Sequence, residues 1–266
     1  MKMASRKSPS HYVKTTHQNQ LDLGGRALLA ARLAAIAYKT EKGATTSCKK
    51  LGFPWVSLIS KDGAECLVVK DRNDMWLAFR GTEPSKMNDV MADLKVIRNS
   101  AKAGGKVHSG FQQEVNDLWM DVLKELEHND SLKVRKDVYM CGHSLGAAMA
   151  TIAATRYNPL ELFTFGSPRV GGARFTRNIK CRHLRFQNNN DIVTRVPPVA
   201  LGFKHHGELC YVNSLNERQP RPLWKNLFLG VWRSWKQLKF FDGISDHSMP
   251  GYVKVVAELV KQEKIQ

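Results

Sequence analysis

One pentapeptide, Gly142-His143-Ser144-Leu145-Gly146, constrains the fold more than any other stretch of this chain. An apolar run at 138–141 precedes it, and small helix-forming residues follow from 147 to 155. This order predicts a strand, a sharp turn and a helix, with the serine at the apex. Glycine is needed on both sides because a Cβ would clash inside so tight a turn. The serine hydroxyl is thereby exposed where a carbonyl group can reach it.

A strand, a nucleophile-bearing turn and a helix in this order are typical of the α/β-hydrolase fold. The rest of the sequence alternates in the same way, with apolar strand-like runs separated by helix-period segments. We predict strands at 65–70, 75–80, 136–141, 161–165, 183–187 and 209–212. We predict helices at 22–38, 111–127, 145–157, 223–239 and 250–262. The sequence therefore predicts a mostly parallel central sheet flanked by helices, in a single domain covering 21–266.

A serine hydroxyl becomes a good nucleophile only when a histidine takes its proton and an acid orients that histidine. In this fold the acid and the histidine follow the serine in the chain. Asp191 ends the polar loop after the predicted strand at 183–187, and His247 precedes the last predicted helix. We therefore predict Ser144, Asp191 and His247 as the catalytic triad.

Other residues compete for these roles. His205 and His206 also follow Asp191, so chain order alone does not reject them. His143 lies inside the pentapeptide, where we expect a packed or backbone-bonded side chain. Asp246 adjoins His247, but adjacent side chains usually diverge, so we expect it to cap a helix or to be solvated.

Several further motifs give the chain a resemblance to the class 3 lipase family, which includes the fungal triacylglycerol lipases. They occur in the family's order and with roughly its spacing over residues 60–260. The motifs are Phe79-Arg80-Gly81-Thr82, Val107-His108-Ser109-Gly110-Phe111, the pentapeptide, Thr164-Phe165-Gly166-Ser167-Pro168-Arg169-Val170-Gly171, Asn190-Asp191-Ile192-Val193, Val196-Pro197-Pro198 and Asp246-His247. The resemblance implies the same three triad residues.

Acyl transfer also needs hydrogen-bond donors for the oxyanion of the tetrahedral intermediate. The backbone N–H of Leu145, directly after the serine, is one predicted donor. The resemblance places the second donor at Thr82, whose alternative role is that of an ordinary turn threonine. We expect Arg80 and His108 to be structural residues.

Two apolar features bear on substrate access. Met87, Val90, Met91 and Leu94 are spaced for one face of a short helix. The resemblance implies a lid at this position, and a surface helix packed on the core is the alternative. For the acyl groove, the resemblance implies Ile192 and Val193, and an apolar loop setting favours Leu201 and Phe203.

The net charge of +17 is large and unevenly distributed. Residues 1–50 carry ten basic and two acidic side chains, and residues 218–240 carry six basic and none acidic. Within 222–241, tryptophan and aliphatic residues recur at helical spacing among lysines and arginines. This composition is typical of a helix on an anionic membrane or lipid-droplet surface, and a helix packed on the core is the alternative. We do not expect nucleic-acid binding.

Several other sequence features limit the possible functions. Residues 1–20 are polar and basic, so we expect disorder there. There is no signal-peptide pattern in the given sequence, which favours the cytoplasm, although a mature secreted form would look the same. The five cysteines have no paired spacing, and no motif for a metal, nucleotide or other cofactor is present. The oligomeric state is left open.

We therefore expect a serine carboxylic-ester hydrolase of lipase type that uses no cofactor. A phospholipase or a feruloyl-type esterase on the same scaffold is the alternative within the enzyme class, because fold and triad do not fix the substrate. A catalytically idle interaction protein is the alternative outside it, and the intact set of predicted catalytic residues disfavours that reading.

Overall fold

The computed structural model describes residues 21–82, 98–130, 136–213, 218–219 and 246–265. Six α-helices lie within these ranges: α1 (Leu23–Ile36), α2 (Glu41–Lys50), α3 (Ser109–Asp130), α4 (Leu145–Arg156), α5 (Ala173–Thr176) and α6 (Met249–Lys261). Two short 3-10 helices span Val193–Arg195 and Val199–Leu201. None of the described helices is both long and apolar enough to cross a membrane.

The strands form one large and one small sheet. They are β1 (Trp55–Lys61), β2 (Ala64–Lys70), β3 (Asp74–Phe79), β4 (Arg98–Ser100), β5 (Lys106–His108), β6 (Asp137–His143), β7 (Glu161–Phe165), β8 (Arg182–Asn188), β9 (Glu208–Val212) and β10 (Arg218–Gln219). The large sheet has the order β1-β2-β3-β6-β7-β8-β9-β10, and β4 pairs only with β5. Strands β3, β6, β7, β8 and β9 run parallel, with antiparallel strands at both ends.

Helices cover both faces of the sheet. On one face α1 and α6 pack over apolar strand residues such as Phe163 and Phe186. On the other face α3 and α4 pack over Leu77 and Met140. Because both faces are covered, the central strands are buried along nearly their whole length, as is usual for parallel sheets.

Local sequence explains where the helices begin. The Asp22 carboxylate accepts a hydrogen bond from the Gly25 N–H at 2.7 Å and caps α1. The Ser248 hydroxyl accepts from the Gly251 N–H at 3.3 Å and caps α6, with Pro250 in the first turn. Asp246 is therefore not the cap of this helix, and our expectation of a capping role for it is wrong.

The predicted α/β-hydrolase architecture is confirmed, and the six predicted strands match β2, β3, β6, β7, β8 and β9 within one or two residues. Strand β1, however, was not predicted. It is half-exposed and forms a hairpin with β2 through Asp62 and Gly63, both with positive φ. The Asp-Gly pair is a recognised hairpin signal. Helix α2 was also missed, since Gly43 and two threonines weaken its helical pattern.

Three predicted features lie outside the described residues. They are the disordered segment 1–20, the lid residues Met87, Val90 and Met91, and the basic helix 223–239. All five cysteines are described and free: Cys48, Cys66, Cys141, Cys181 and Cys210. Among the described ranges, no group of histidine, cysteine and acidic residues could hold a metal ion.

Asp74, the first residue of β3, is a buried carboxyl group at the edge of the sheet where the parallel strands begin. It has no exposed surface, and neither oxygen has a hydrogen-bond partner among the described residues. Burial raises the pKa of Asp74 to about 7, and the charges of Asp71 and Asp137 act in the same direction. The fold therefore favours the protonated form of this side chain.

The raised pKa of Asp74 predicts that the stability of the folded protein depends on pH. The pKa of an unfolded aspartate is near 4, so between about pH 4 and pH 7 the folded state binds more protons and stability falls as pH rises. Asp74→Asn should be more stable than the wild type by about 1–3 kcal/mol at pH 8, with the difference disappearing near pH 4. Urea unfolding at both pH values measures this. Asp62→Asn, at an exposed turn, is the control and should show no such pH dependence.

Candidate active site

Ser144 sits at the turn between β6 and α4 with a φ of 58° and a ψ of −126°. A positive φ is strained for any residue other than glycine and is common at functional sites. The flanking glycines make the turn possible. A Cβ at Gly142 would strike the backbone of Gly146, and a Cβ at Gly146 would strike the carbonyl group of Phe79. The sequence thus forms the expected nucleophile elbow, packed tightly against the end of β3.

The elbow is held in place by the neighbouring strand. The Ser144 N–H donates to the Phe165 carbonyl oxygen at 3.0 Å, at the end of β7. The carbonyl oxygen of Ser144 accepts from the Ala147 N–H at 3.0 Å, inside the first turn of α4. Leu145 begins α4, so its N–H is among the helix donors that have no intrahelical acceptor. This N–H is suited to hydrogen-bond an oxyanion formed at the serine.

Asp191 and His247 form a buried hydrogen-bonded pair. His247 Nδ1 lies 2.8 Å from Asp191 Oδ2, and the two residues are 4% and 0% exposed. Gly166, with a φ of 58°, makes room for them, because a Cβ there would lie 2.8 Å from both the carboxylate oxygen and the imidazole ring. His247 Nε2 is buried and has no hydrogen-bond partner among the described residues. Nε2 is therefore the nitrogen that can accept a serine proton.

The Asp191 carboxylate accepts further hydrogen bonds. Its Oδ1 accepts from the Val193 N–H at 2.9 Å, and its Oδ2 accepts from the Tyr252 hydroxyl at 2.5 Å. The Tyr252 oxygen in turn accepts from the Asn188 N–H at 3.1 Å. Burial raises the pKa of Tyr252 well above its usual range, and the Asp191 charge acts in the same direction, so the phenol stays protonated as a donor. These bonds fix the orientation of the carboxylate that faces His247.

His143 supports the same pair from within the elbow. Its Nε2 lies 2.7 Å from the carbonyl oxygen of His247, and its Nδ1 lies 2.8 Å from the Tyr38 hydroxyl. The rings of His143 and His247 are 4.5 Å apart between centroids. Burial, together with the neighbouring His247, holds the pKa of His143 well below its ordinary value, so this ring is neutral. His143 is thus backbone-bonded, as expected.

The segment that follows β3 packs against the elbow at Gly81. A Cβ at Gly81 would lie 3.2 Å from Ser144 Cβ and would also strike the carbonyl oxygen of His143. Thr82 follows directly and is partly exposed. Arg80 is turned away into an ion pair with Glu65 at 2.5 Å. Gly81 thus packs against the serine turn, and Thr82 is the next residue of the same segment.

The competing residues lie elsewhere. His205 Nε2 bonds the Thr194 carbonyl oxygen at 2.8 Å, and His206 Nδ1 lies 3.0 Å from His183 Nδ1. Asp246 Oδ2 accepts from the side chain of Asn189 at 3.0 Å and from the backbone of Asn190 at 3.2 Å. Asp246 thus secures the loop that carries Asp191.

The four predicted groove residues separate into two groups. Ile192 and Leu201 are 47% and 45% exposed, and Val199 between them in sequence is 57% exposed. Val193 and Phe203 are buried, and the Phe203 ring packs 6.3 Å from that of His108. The Ile192 and Leu201 side chains are thus open to solvent, whereas Val193 and Phe203 belong to the core, so the groove prediction is wrong for Phe203 and Val193 as exposed lining residues. His108 also stacks on Phe111 at 4.2 Å, consistent with the structural role expected of it.

Sequence reasoning missed Tyr252 and Tyr38. Tyr252 lies one turn into α6, five residues after His247, and Tyr38 follows the end of α1. Neither position carries a motif that marks it. Only the position of Tyr252 in the first turn after the predicted histidine could have indicated a contact with the site.

Comparisons with known proteins agree with this geometry. The sequence pattern of the family described as Lipase (class 3) matches residues 76–201. A lipase of Rhizopus niveus is 33% identical over 181 residues, which cover 60% of this chain and 44% of that protein. The chain therefore spans less than half the length of that relative. The secreted mono- and diacylglycerol lipase A of Penicillium cyclopium is 27% identical over 232 residues, covering 79% of this chain and 75% of that protein.

A solved structure is similar as well. A triacylglycerol lipase whose catalytic centre is described as a serine protease triad superposes with a TM-score of 0.60 at 25% identity, covering 73% of this chain and 82% of the other. The elbow and the mostly parallel sheet define an α/β-hydrolase. The family match and these relatives support the resemblance to the class 3 lipase family seen in the motifs.

The Tyr252 hydroxyl predicts a specific loss of activity. Tyr252→Phe removes one hydrogen bond to a buried carboxylate, worth about 1.5–3 kcal/mol, so kcat for a soluble ester should fall by roughly 10- to 100-fold. KM should change little, because the phenol does not face the substrate. Tyr211→Phe removes a similarly buried hydroxyl from β9 and is the control. Equal losses in the two variants would contradict a positioning role for Tyr252.

Proposed function

We propose that this protein is a serine carboxylic-ester hydrolase that cleaves acyl esters of lipids through an acyl-enzyme. The 2.8 Å hydrogen bond between His247 Nδ1 and Asp191 Oδ2, next to a strained serine turn, carries this proposal. Asp191 orients the imidazole and stabilises it when it becomes charged. His247 Nε2 takes the Ser144 proton as the serine oxygen attacks the ester carbonyl.

Residues of the same site stabilise the tetrahedral intermediate and assist its breakdown. The backbone N–H groups of Leu145 and Thr82 donate to the oxyanion, and the Thr82 hydroxyl adds a donor. His247 then gives its proton to the departing alcohol, which leaves Ser144 acylated. A water molecule, deprotonated by the same imidazole, attacks the acyl-enzyme and releases the fatty acid. The Ser144 proton thus leaves with the alcohol, and the proton that His247 takes from water is passed to the Ser144 oxygen as the acid departs, which restores the free enzyme.

The substrate class follows from the rim of the site and from the relatives. Ile192 and Leu201 expose apolar side chains beside the acid loop and suit a long acyl chain. The matched relatives are lipases, and one is named a mono- and diacylglycerol lipase. Acylglycerols are therefore the proposed substrates.

The triad assignment predicts a large loss of turnover in folded variants. Ser144→Ala or His247→Ala should lower kcat by roughly 10⁴-fold, and Asp191→Asn by somewhat less. Wild-type protein should be labelled covalently by a fluorophosphonate probe, and the Ser144→Ala protein should not. His206→Ala is the control, since His206 pairs with His183 away from the elbow. Full activity in a folded His247→Ala protein would contradict the mechanism.

We further propose that the positive charge directs the enzyme to anionic lipid surfaces. The basic stretches 1–50 and 218–240 hold most of the net charge of +17. In the described part, Lys42, Lys49 and Lys50 are exposed on α2. Cations at a surface add attraction to anionic lipid of about 1 kcal/mol each within a Debye length.

Charge-directed binding predicts salt-sensitive activity on vesicles. Hydrolysis on anionic vesicles should exceed that on neutral vesicles, and the excess should shrink as salt is raised through about 0.1 M. Changing Lys225, Arg233, Lys236 and Lys239 to Gln should abolish the preference and spare turnover of soluble esters. Lys42, Lys49 and Lys50 changed to Gln form the comparison set. An unchanged preference in the quadruple variant would exclude the 218–240 stretch as the docking element.

A further inference from the structure

Arg185, in the middle of β8, is a buried cation without a counter-charge. The residue is 7% exposed, and its Nε and Nη1 have no hydrogen-bond partner among the described residues. A guanidinium group presents five N–H donors and keeps its charge at any physiological pH. Burying such a group without partners is strongly unfavourable, so a native fold is expected to supply an acceptor.

The surroundings of Arg185 are basic. It lines a small cavity of about 10 Å³, and no aspartate or glutamate among the described residues lines that cavity. The ionisable neighbours in the wall are Lys204, His183, His205 and His206. Burial, with a smaller contribution from the nearby charge of Arg169, lowers the pKa of Arg185 to about 10. The local potential is therefore positive and uncompensated.

The other polar groups of the wall cannot supply negative charge. The hydroxyls of Thr151, Ser167 and Thr176 donate their protons to backbone carbonyl oxygens. Tyr252 is nearby, but its pKa is raised well above the usual range by burial, so it stays neutral. Burial also raises the pKa of the Cys210 thiol to about 11. No ionised oxygen or sulfur of the described residues faces the guanidinium group.

We propose that this cavity binds a small monovalent anion of halide size, which in solution is chloride. The cavity is small, which favours a monatomic anion over phosphate, sulfate or a carboxylate. A water molecule would satisfy one or two N–H donors but would leave the charge of Arg185 uncompensated. A chloride ion accepts several N–H donors at once and cancels that charge.

The cavity wall is joined to the loop that carries the catalytic acid. His205 Nε2 holds the carbonyl oxygen of Thr194 at 2.8 Å, and Arg169 Nη1 donates to that of Pro197 at 3.0 Å. Thr194 lies three residues after Asp191, and its hydroxyl donates to the carbonyl oxygen of Asp191 at 2.8 Å. An anion between Arg185 and the histidines thus ties the strand of Arg185 to the turn below Asp191.

Crystals grown or soaked in bromide test the site directly. An anomalous difference peak inside the cavity, within hydrogen-bond distance of the Arg185 guanidinium, is the expected result. Bromide peaks on the protein surface alone would mean an adventitious ion only, and they would overturn the proposal. Water-like density in the cavity without anomalous signal would overturn it as well.

Thermal unfolding provides an independent test in solution. Gluconate is the reference anion because it is too large for the cavity. When chloride replaces gluconate at constant ionic strength, Tm should rise by about 2–5 °C for each tenfold increase in chloride concentration above its Kd. Arg185→Met should abolish this dependence while losing no stability in gluconate, because the buried charge is gone. Arg177→Met, an exposed arginine, is the matched control and should behave as wild type.

The anion site is separable from the chemistry of ester cleavage. Ser144→Ala should keep the full chloride dependence of Tm, because the serine does not line the cavity. A chloride effect that is equal in wild type and in a folded Arg185→Met protein would refute the assignment. If Arg185→Met does not fold, the bromide experiment on the wild type decides alone.

Discussion

The site depends on the close approach of three backbone segments that only glycine permits. Gly81 at the end of β3, and Gly142 and Gly146 around the elbow, each lie against backbone atoms that a Cβ would strike. Close packing of this kind fixes the distance between β3 and the elbow far more rigidly than side-chain contacts would. The segment that carries Gly81 and Thr82 is therefore held against the elbow by backbone packing. Gly166, directly after the neighbouring strand β7, likewise leaves the space that the Asp191–His247 pair occupies.

The order of the strands in the sheet brings the segments of the candidate active site together. β6, β7 and β8 are neighbours and parallel, so their carboxyl ends deliver Ser144, Gly166 and Asp191 to one edge of the sheet. His247 comes from a loop before α6, whose packing against α1 holds it over that edge. The residues are far apart in sequence and meet because parallel strands end together.

The sequence predicted the elbow, the six core strands and the two residues of the Asp191–His247 pair, because each is marked by a local pattern. A glycine-flanked serine, buried apolar runs and polar loops at strand ends are visible without knowledge of the tertiary structure. Tyr252 was not predictable in this way, since its role arises from the angle at which α6 meets β8. Strand β1 was missed because one half-exposed edge strand lacks a continuous apolar run, although its Asp62-Gly63 turn was visible. Phe203 was expected in the groove from its apolar setting, but apolar residues fill cores as readily as grooves.

Two buried ionisable residues differ in whether they can lose their charge. Asp74 and Arg185 both lack partners among the described residues, yet they are not equivalent problems for the fold. With a pKa of about 7, Asp74 can take up a proton and become neutral near physiological pH. Arg185, with a pKa lowered only to about 10, cannot lose its proton there and stays charged. A carboxyl group can therefore be buried alone at the cost of a pH-dependent stability, whereas a guanidinium group has to be matched by an anion. The cavity beside Arg185 offers a place where such an anion can bind.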